Sequence, residues 1–298
     1  MDYLNSAVLY LSGGVGEVFD ALGQSRAQRT IMDLLTVPDH TINDRDLKYA
    51  VLHLQAATEV LLKARLVREH WSLVFKDPGK ATRSAFEQGK FESCGMGATL
   101  DRLVSIAGVP ITGKQRETIT DLAETRNALT HYGHTANAYA VEARAARVLD
   151  FLLDFVPLHL HPVLTSEASL VESTMAVVRN RLNDIEVLVK KRMQGVSGEL
   201  AGLEDRTMVC PRCKQWALVI GGGDPVICRF CLETFAPIDV VIYTWNRDGD
   251  DLGIVDCPAC GTAEVVILVK TAVNKTEDVA LCMHCATVYE PPRRVGEA

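Results

Sequence analysis

Hydrophobic positions in the first half of the chain recur every three or four residues, the spacing of amphipathic helices. The most regular run extends from Leu47 to Leu66 and predicts a helix in the core of a bundle. Other runs predict helices over residues 5–36, 100–106, 112–132 and 136–155. No convincing strand precedes residue 207. The pattern therefore predicts an all-α bundle over residues 1–164.

Residues 165–206 are predicted to form a long linker helix that ends in a hinge. Its apolar positions, from Val171 to Val189, alternate spacings of four and three, the repeat of a helix–helix seam. We expect one helix over residues 165–194, which either packs on the bundle or pairs with its copy in a second subunit. Gly195, Gly198 and Gly202 then supply the hinge.

The hydrophobic period changes to that of short strands after residue 206. Apolar runs at 216–220 and 226–227 flank Gly221-Gly-Gly-Asp-Pro225, which is typical of a β-hairpin. Further strands are predicted over residues 240–245, 265–269 and 278–281. The predicted fold class is thus mainly α, a helical bundle followed by a long helix and two small β modules. These modules cover residues 207–237 and 238–292, and the second begins with a connecting strand.

Eight of the nine cysteines lie in four Cys-x-x-Cys pairs within these modules. Two pairs joined by a hairpin place four sulfur atoms at the corners of a tetrahedron, the coordination that Zn²⁺ prefers. So short a module buries too little apolar surface to fold alone, so a metal ion is expected to stabilise it. Both modules resemble zinc ribbons, which implies two structural Zn²⁺ ions per chain. The predicted ligands are Cys210, Cys213, Cys228 and Cys231 in the first module and Cys257, Cys260, Cys282 and Cys285 in the second.

These sites are expected to be structural because four thiolates leave no open coordination position. A redox dithiol is the alternative, and two complete four-cysteine sets count against it. His284 lies between two ligands, but Cys285 completes the set without it. Cys94 stands alone and is expected to be an inert, partly buried thiol.

Charge and composition limit the possible partners. The net charge is −7, and Lys plus Arg number 23 against 26 Asp plus Glu up to residue 206, and 8 against 12 after it. Neither part has the basic excess of a protein that binds nucleic acid through charge alone, so any RNA contact must depend on a local patch. No long apolar stretch or basic signal region is present. A cytoplasmic protein without a membrane segment is therefore expected.

An arginine and a histidine lie five residues apart near the end of one predicted helix. On an ideal helix, Arg126 lies within the apolar stripe of Ile119, Leu122 and Leu129. The side chains of Arg126 and His131 point about 140° apart, so one helix cannot easily aim both at one atom. The structural interpretation is a histidine stabilised by the helix dipole and an arginine paired with a nearby carboxylate.

The segment Arg126-Asn-Ala-Leu-Thr-His-Tyr132 resembles the Arg-x4–6-His motif of the HEPN superfamily, including the polar residue after the arginine. The segment Leu54–Leu66 contains Glu59-Val-Leu-Leu-Lys-Ala64, which is similar to the Glu-x-x-Leu-Lys-Ala helix common in that superfamily. The resemblance covers roughly residues 40–160. It implies a HEPN-like bundle that forms a homodimer, with two motifs facing each other across a cleft.

Many HEPN proteins are metal-independent endoribonucleases of toxin–antitoxin, antiphage and CRISPR systems, and the resemblance implies this activity here. His131 would be the general base or acid acting on a ribose 2′-hydroxyl or on the leaving 5′-oxygen. Arg126 would hold the scissile phosphate and stabilise its charge. Asn127 would orient the pair, Glu124 would modulate the histidine, and Tyr132 follows it directly. The implied partners are RNA, a second subunit, and an antitoxin or another protein.

The alternative function is a non-catalytic HEPN–zinc-ribbon adaptor that binds protein or nucleic acid, because some HEPN domains serve only for binding or dimerisation. A zinc-ribbon regulator of transcription is a third possibility, and the absence of a basic face counts against it. Toxins controlled by nucleotidyltransferase antitoxins carry Arg-x4-His-x-Tyr, whereas this chain has Gly133 at the last position. The ribbons fit target recognition and protein contact equally well.

Overall fold

The computed structural model describes residues 1–11, 44–131, 138–221, 225–248, 256–262 and 265–289. The chain divides into two compact units, Met1–Leu188 and Val189–Ala298. The described part is mainly helical, and its short antiparallel strands all lie in the second unit. This confirms a mainly α chain with small β modules near its C-terminus.

The first unit contains the helices α1 (Asp2–Leu11), α2 (Asp44–Glu69), α3 (Arg83–Glu87), α4 (Met96–Ser105), α5 (Gly113–His131), α6 (Ala138–Phe155) and α7 (Ala168–Arg181). Helix α8 (Glu186–Leu200) begins in this unit and ends in the second. Short 3-10 turns cover Trp71–Val74, Pro78–Lys80, His161–Val163 and Leu182–Asp184, and a π turn covers Val156–Leu160. Among the described helices, none is long and apolar enough to cross a membrane.

Helix α2 is the central element of the first unit and packs against α1, α4, α5 and α6. Its apolar residues recur at helical spacing, so they share one broad face, and Leu54, Leu62 and Leu66 are fully buried. Helix α5 packs against α2 and α6, and its Ile119 and Leu122 are also fully buried. The core helix expected from the sequence is confirmed, and it fixes the position of the helix that carries Arg126.

Leu54→Ala is expected to lower the free energy of unfolding by about 2–5 kcal/mol, because it removes buried methyl groups and leaves a cavity. The matched control is Leu170→Ala on α7, where the side chain is 66% exposed and the expected change is within about 0.5 kcal/mol. Denaturant unfolding of both variants measures the difference. A similar loss in both would show that α2 is not the core of this unit.

The single helix predicted over residues 165–194 is wrong. Helices α7 and α8 are separated by a 3-10 turn and by Ile185, whose φ of −106° and ψ of 84° are not helical. The Leu182-Asn-Asp184 sequence favours a turn because Asn and Asp side chains compete for backbone hydrogen bonds. Leu182 and Ile185 are nevertheless buried. The apolar repeat therefore identified the buried face but not the break in the helix.

Helix α7 packs against α1 within the first unit, as the first of the two packing alternatives expected. The predicted hinge also changes, because Gly195 and Gly198 lie inside α8 and the chain turns at Gly202, where φ is +78°. The helix predicted over residues 5–36 is described only as α1, and residues 12–43 lie outside the described part.

The second unit contains two antiparallel sheets that follow chain order. The first sheet consists of β1 (Thr207–Val209), β2 (Trp216–Val219), β3 (Val226–Cys228) and β4 (Thr234–Phe235), and the second of β5 (Val265–Val269), β6 (Val279–Cys282) and β7 (Val288–Tyr289). In the first sheet, Leu218 of β2 pairs with Cys228 of β3. The predicted hairpin and the strands predicted over 265–269 and 278–281 are therefore confirmed.

The strand predicted over residues 240–245 is wrong, because these residues lie in helix α9 (Pro237–Asp248). Proline is well tolerated in a first helical turn, where its missing N–H has no partner to lose, and Asp239 places a negative charge at the positive end of the helix dipole. The buried residues of the run fall at helical spacing: Val240, Val241 and Thr244. Tertiary burial thus overrides the strand preference of β-branched residues.

Candidate metal centres and the arginine–histidine helix

Each of the four Cys-x-x-Cys pairs forms the same backbone turn. The amide of the residue after the second cysteine donates a hydrogen bond to the carbonyl of the first cysteine at 2.7–3.0 Å. The amide of the first cysteine donates to the carbonyl five residues further on, also at 2.7–3.0 Å. These bonds turn the backbone around each pair, so both sulfur atoms of a pair belong to the same cluster of four. The first cysteines of the pairs are Cys210, Cys228, Cys257 and Cys282.

The residue after each pair adopts the left-handed backbone conformation. The φ angles are 60° at Lys214, 57° at Leu232, 75° at Gly261 and 59° at Ala286. Three of these residues are not glycine, and the left-handed conformation costs such residues about 1–2 kcal/mol each. The turns are therefore strained locally, and the hydrogen bonds and the linkage of the sulfur atoms must offset that cost.

The sulfur atoms form two separate groups of four, as predicted. In the first cluster, Cys210 lies 3.8 Å from Cys231 and Cys213 lies 3.7 Å from Cys228, measured between Sγ atoms. In the second, the corresponding distances from Cys257 to Cys285 and from Cys260 to Cys282 are both 3.7 Å. A tetrahedron with metal–sulfur bonds of about 2.3 Å has edges of about 3.8 Å. Each cluster is therefore spaced to hold one metal ion.

The protonation of the first cluster also favours a cation. Hydrogen bonds from the thiols of Cys213, Cys228 and Cys231 hold the pKa of Cys210 far below its usual value. The thiolate of Cys210 in turn raises the pKa of Cys213, and burial raises the pKa of Cys228. Burial and mutual hydrogen bonding therefore favour one thiolate in this group when no cation is bound, and metal ligation requires the thiols to lose their protons.

Residues of α8 and α9 that belong to the second unit hold the first cluster in place. Arg192 of α8 is buried, donates a hydrogen bond from Nε to the carbonyl of Phe230, and lies 5.8 Å from the centre of that ring. Lys214 donates from Nζ to the hydroxyl of Tyr243 of α9 at 2.9 Å. Both contacts reach residues inside or beside a Cys-x-x-Cys turn. These two contacts hold the Cys-x-x-Cys turns in place, as interactions beyond the ligands themselves do in a structural metal site.

The two clusters differ in exposure. All four cysteines of the first cluster are fully buried. In the second cluster, Cys257 and Cys282 are buried, Cys285 is half-buried and Cys260 is exposed. His284 is exposed, and Cys285 completes the set of sulfur ligands without it. Cys94, expected from the sequence to be partly buried, is almost fully buried, and its Sγ lies 3.3 Å from the hydroxyl of Thr99.

Gly261→Ala is expected to destabilise the second unit by about 1–2 kcal/mol, because alanine disfavours the left-handed conformation. An added Cβ would meet no atom within 4 Å at this position, so the effect is conformational alone. The matched control is Gly195→Ala inside α8, which also meets no atom within 4 Å and should raise stability by about 0.5–1 kcal/mol. Denaturant unfolding of both metal-loaded variants provides the comparison. Changes of the same sign would contradict the role of the turn.

Helix α5 brings together part of the predicted arginine–histidine site. Arg126 is half-buried, and its Nη1 donates a hydrogen bond to Oδ1 of Asn127 at 2.9 Å. Glu124 and Asn127 are exposed, His131 is the last residue of α5, and Tyr132 lies outside the described residues. Among the described residues, no carboxylate lies within ion-pair distance of the Arg126 guanidinium. Arg126 therefore contacts Asn127, and within the described part of the chain it forms no ion pair with Glu124 or Asp121.

Sequence reasoning missed Arg144 of α6. Its Nη1 lies 3.3 Å from the hydroxyl of Thr125, the residue before Arg126. That hydroxyl also donates to the carbonyl of Asp121 at 2.7 Å. A second guanidinium therefore lies beside the helix that carries the motif. The one available signal is the spacing of Arg144 and Arg147 on one face of α6, and that spacing does not say which helix this face meets.

Comparison with protein-family models, with curated proteins and with solved structures returned no match. The functional assignment therefore rests on the residues and the geometry described above.

Proposed function

We propose that the protein is a metal-independent endoribonuclease of the HEPN type, acting in a toxin or antiphage-defence setting. The observation that carries the proposal is the Arg126-Asn-Ala-Leu-Thr-His131 motif at the end of α5. This helix packs against α2, which contains Glu59-Val-Leu-Leu-Lys-Ala64. Both segments that resemble the superfamily thus belong to adjacent helices of one helical unit.

The chemistry assigned to the motif is attack of a ribose 2′-oxygen on the neighbouring phosphate. His131 removes the 2′-hydroxyl proton or protonates the leaving 5′-oxygen, tasks suited to an imidazole near neutral pH. The 2′-oxygen–phosphorus bond forms as the bond from phosphorus to the 5′-oxygen breaks. The products are a 2′,3′-cyclic phosphate and a 5′-hydroxyl. Arg126 binds the phosphate and stabilises its developing charge, and Asn127 restrains the guanidinium through the bond described above.

A homodimer resolves the angular problem of the motif. Arg126 and His131 point about 140° apart on one helix, so a single copy does not easily aim both at one phosphate. Two α5 helices facing each other supply both groups from opposite sides of a cleft. In such a dimer, the exposed side chain of Glu124 on each α5 helix modulates the histidine.

The proposed metal in both clusters is zinc. Four sulfur ligands at tetrahedral spacing suit Zn²⁺, and the same set also binds iron, so elemental analysis decides the identity. Freshly purified, reduced protein should contain about two zinc ions per chain. Iron in their place, or no metal, would refute the proposal. Since all four ligands are sulfur, the ions stabilise the fold and leave no coordination position for a substrate.

One experiment distinguishes the nuclease function from the adaptor function. Wild-type protein is incubated with total RNA and with tRNA in buffer without added divalent ions, and cleavage and RNA binding are measured on the same samples. Cleavage supports the nuclease. RNA or protein binding without cleavage supports the adaptor, and light scattering of the same preparation shows whether the protein is the expected dimer.

A further inference from the structure

We infer that the second cysteine cluster is an oxidant-sensitive, exchangeable metal site, whereas the first cluster retains its ion. The inference rests on the metal loading proposed above. The exposure of the sulfur atoms is its first support. Cys260 is exposed and Cys285 is half-buried, whereas every cysteine of the first cluster is fully buried. An oxidant or a competing chelator must reach sulfur to act, and only the second cluster offers that access.

Three side-chain hydroxyls surround the second cluster. Tyr289 lies 3.2 Å from the sulfur of Cys257, Thr262 lies 3.1 Å from that of Cys260, and Thr287 lies 3.1 Å from that of Cys285. Each of these hydroxyls lies within hydrogen-bond distance of a sulfur atom, so the side chains beside the second cluster are polar.

The sulfur spacing also allows disulfides to form. Cys260 and Cys282 are 3.7 Å apart, as are Cys257 and Cys285. A disulfide requires about 2.05 Å, so the two sulfur atoms of either pair must approach each other further once no ion separates them. Each pair joins the two turns of the ribbon. Oxidation would therefore replace the metal link by a covalent one between the same segments.

Hydrogen peroxide is the chemical class of oxidant for this step. One thiolate attacks a peroxide oxygen, the O–O bond breaks, and a sulfenic acid and hydroxide form. The second thiolate attacks the sulfenic sulfur, the S–S bond forms, and a second hydroxide leaves. The two sulfur atoms lose two electrons, the peroxide gains them, two protons complete two water molecules, and the metal ion is released.

The second ribbon is packed so that such a change reaches the first one. A Cβ added to Gly221, in the β2–β3 turn, would lie 2.3 Å from Cβ of Ala286 and 3.1 Å from its amide nitrogen. Ala286 directly follows the ligand Cys285. The amide of Ala272 also donates to the carbonyl of Thr207 of β1 at 2.8 Å. Movement of the Cys282–Cys285 turn would therefore disturb the contact between Ala286 and Gly221 of the first ribbon.

The test uses the full-length, metal-loaded protein treated with increasing hydrogen peroxide in the presence of a chromogenic zinc chelator. One of the two metal equivalents should be released at least about tenfold faster than the other. Differential alkylation and mass spectrometry at half release should find oxidation at Cys257, Cys260, Cys282 or Cys285. Equal release of both ions, or oxidation that begins in the first cluster, would overturn the inference.

Histidine substitutions supply matched variants that keep a metal ligand. Cys260→His removes the exposed thiolate and should slow the fast phase, whereas Cys213→His, at the equivalent position of the buried cluster, should leave it unchanged. Elemental analysis before oxidation shows whether each variant is loaded. Wild-type protein without metal at that stage refutes the zinc proposal itself, whereas loaded wild-type protein with one uniform release rate refutes only the difference between the clusters.

Discussion

Replacing His131 with alanine should lower the rate of RNA cleavage by about 10²–10⁴-fold, because it removes the group that moves the proton at the 2′-hydroxyl or at the leaving oxygen. Arg126→Ala should lower the rate by about 10²–10³-fold, because the charge on the phosphate then develops without its guanidinium. Arg126→Lys should restore only part of this loss, since an ammonium group lacks the planar pair of donors. Cleavage of tRNA under single-turnover conditions measures all three rates.

An arginine and a histidine elsewhere in the first unit provide control substitutions. Arg116 is also on α5 but pairs with Asp101 at 2.9 Å, so Arg116→Ala should retain cleavage close to that of the wild type. His70 caps a short 3-10 turn, and His70→Ala should likewise remain active. Equal cleavage by wild type and by the His131 and Arg126 variants would show that a contaminant or another site cuts the RNA. Absence of cleavage by every protein would favour the adaptor.

Cys228→Ala should abolish metal binding at the first cluster and unfold the first ribbon. Structural zinc contributes about 10–16 kcal/mol of apparent binding energy in small modules. The variant should contain one zinc ion fewer than the wild type. Hydrogen exchange should show loss of protection across residues 207–235, while helix α2 of the first unit stays protected.

Cys94→Ala is the matched control for this variant, because Cys94 is buried but belongs to the first unit and to neither cluster. It should keep both zinc ions and the protection of the first ribbon. A Cys228→Ala protein that keeps full protection in residues 207–235 would show that the ion is not needed for the fold of this module.

The sequence predicted those elements whose local pattern and tertiary environment agree. Helix α2 carries apolar residues at helical spacing over its full length, and burial follows that pattern. The cysteine pairs were assigned correctly to two clusters, because the Cys-x-x-Cys spacing and the intervening hairpin leave little choice of partner. In these cases the chemistry of a short segment determines its own geometry.

The predictions that failed depended on contacts between distant segments. The β-branched run at 240–245 prefers a strand locally, but packing in the second unit favours a helix. The break at Ile185 separates two buried positions that a continuous helix would also have buried. Neither the contact of Arg144 with Thr125 nor the exposure of Cys260 can be derived from residue spacing, since each depends on which surfaces meet.

The most direct measurement for the proposed function is end-group analysis of RNA after incubation with wild-type protein in buffer containing a chelator for free divalent ions. Zinc loading is measured before and after, so that loss of the structural ions cannot explain an inactive sample. The motif at Arg126 and His131 predicts fragments that end in a 2′,3′-cyclic phosphate and begin with a 5′-hydroxyl. Fragments with a 3′-hydroxyl and a 5′-phosphate, or uncut RNA with fully loaded protein, would contradict it.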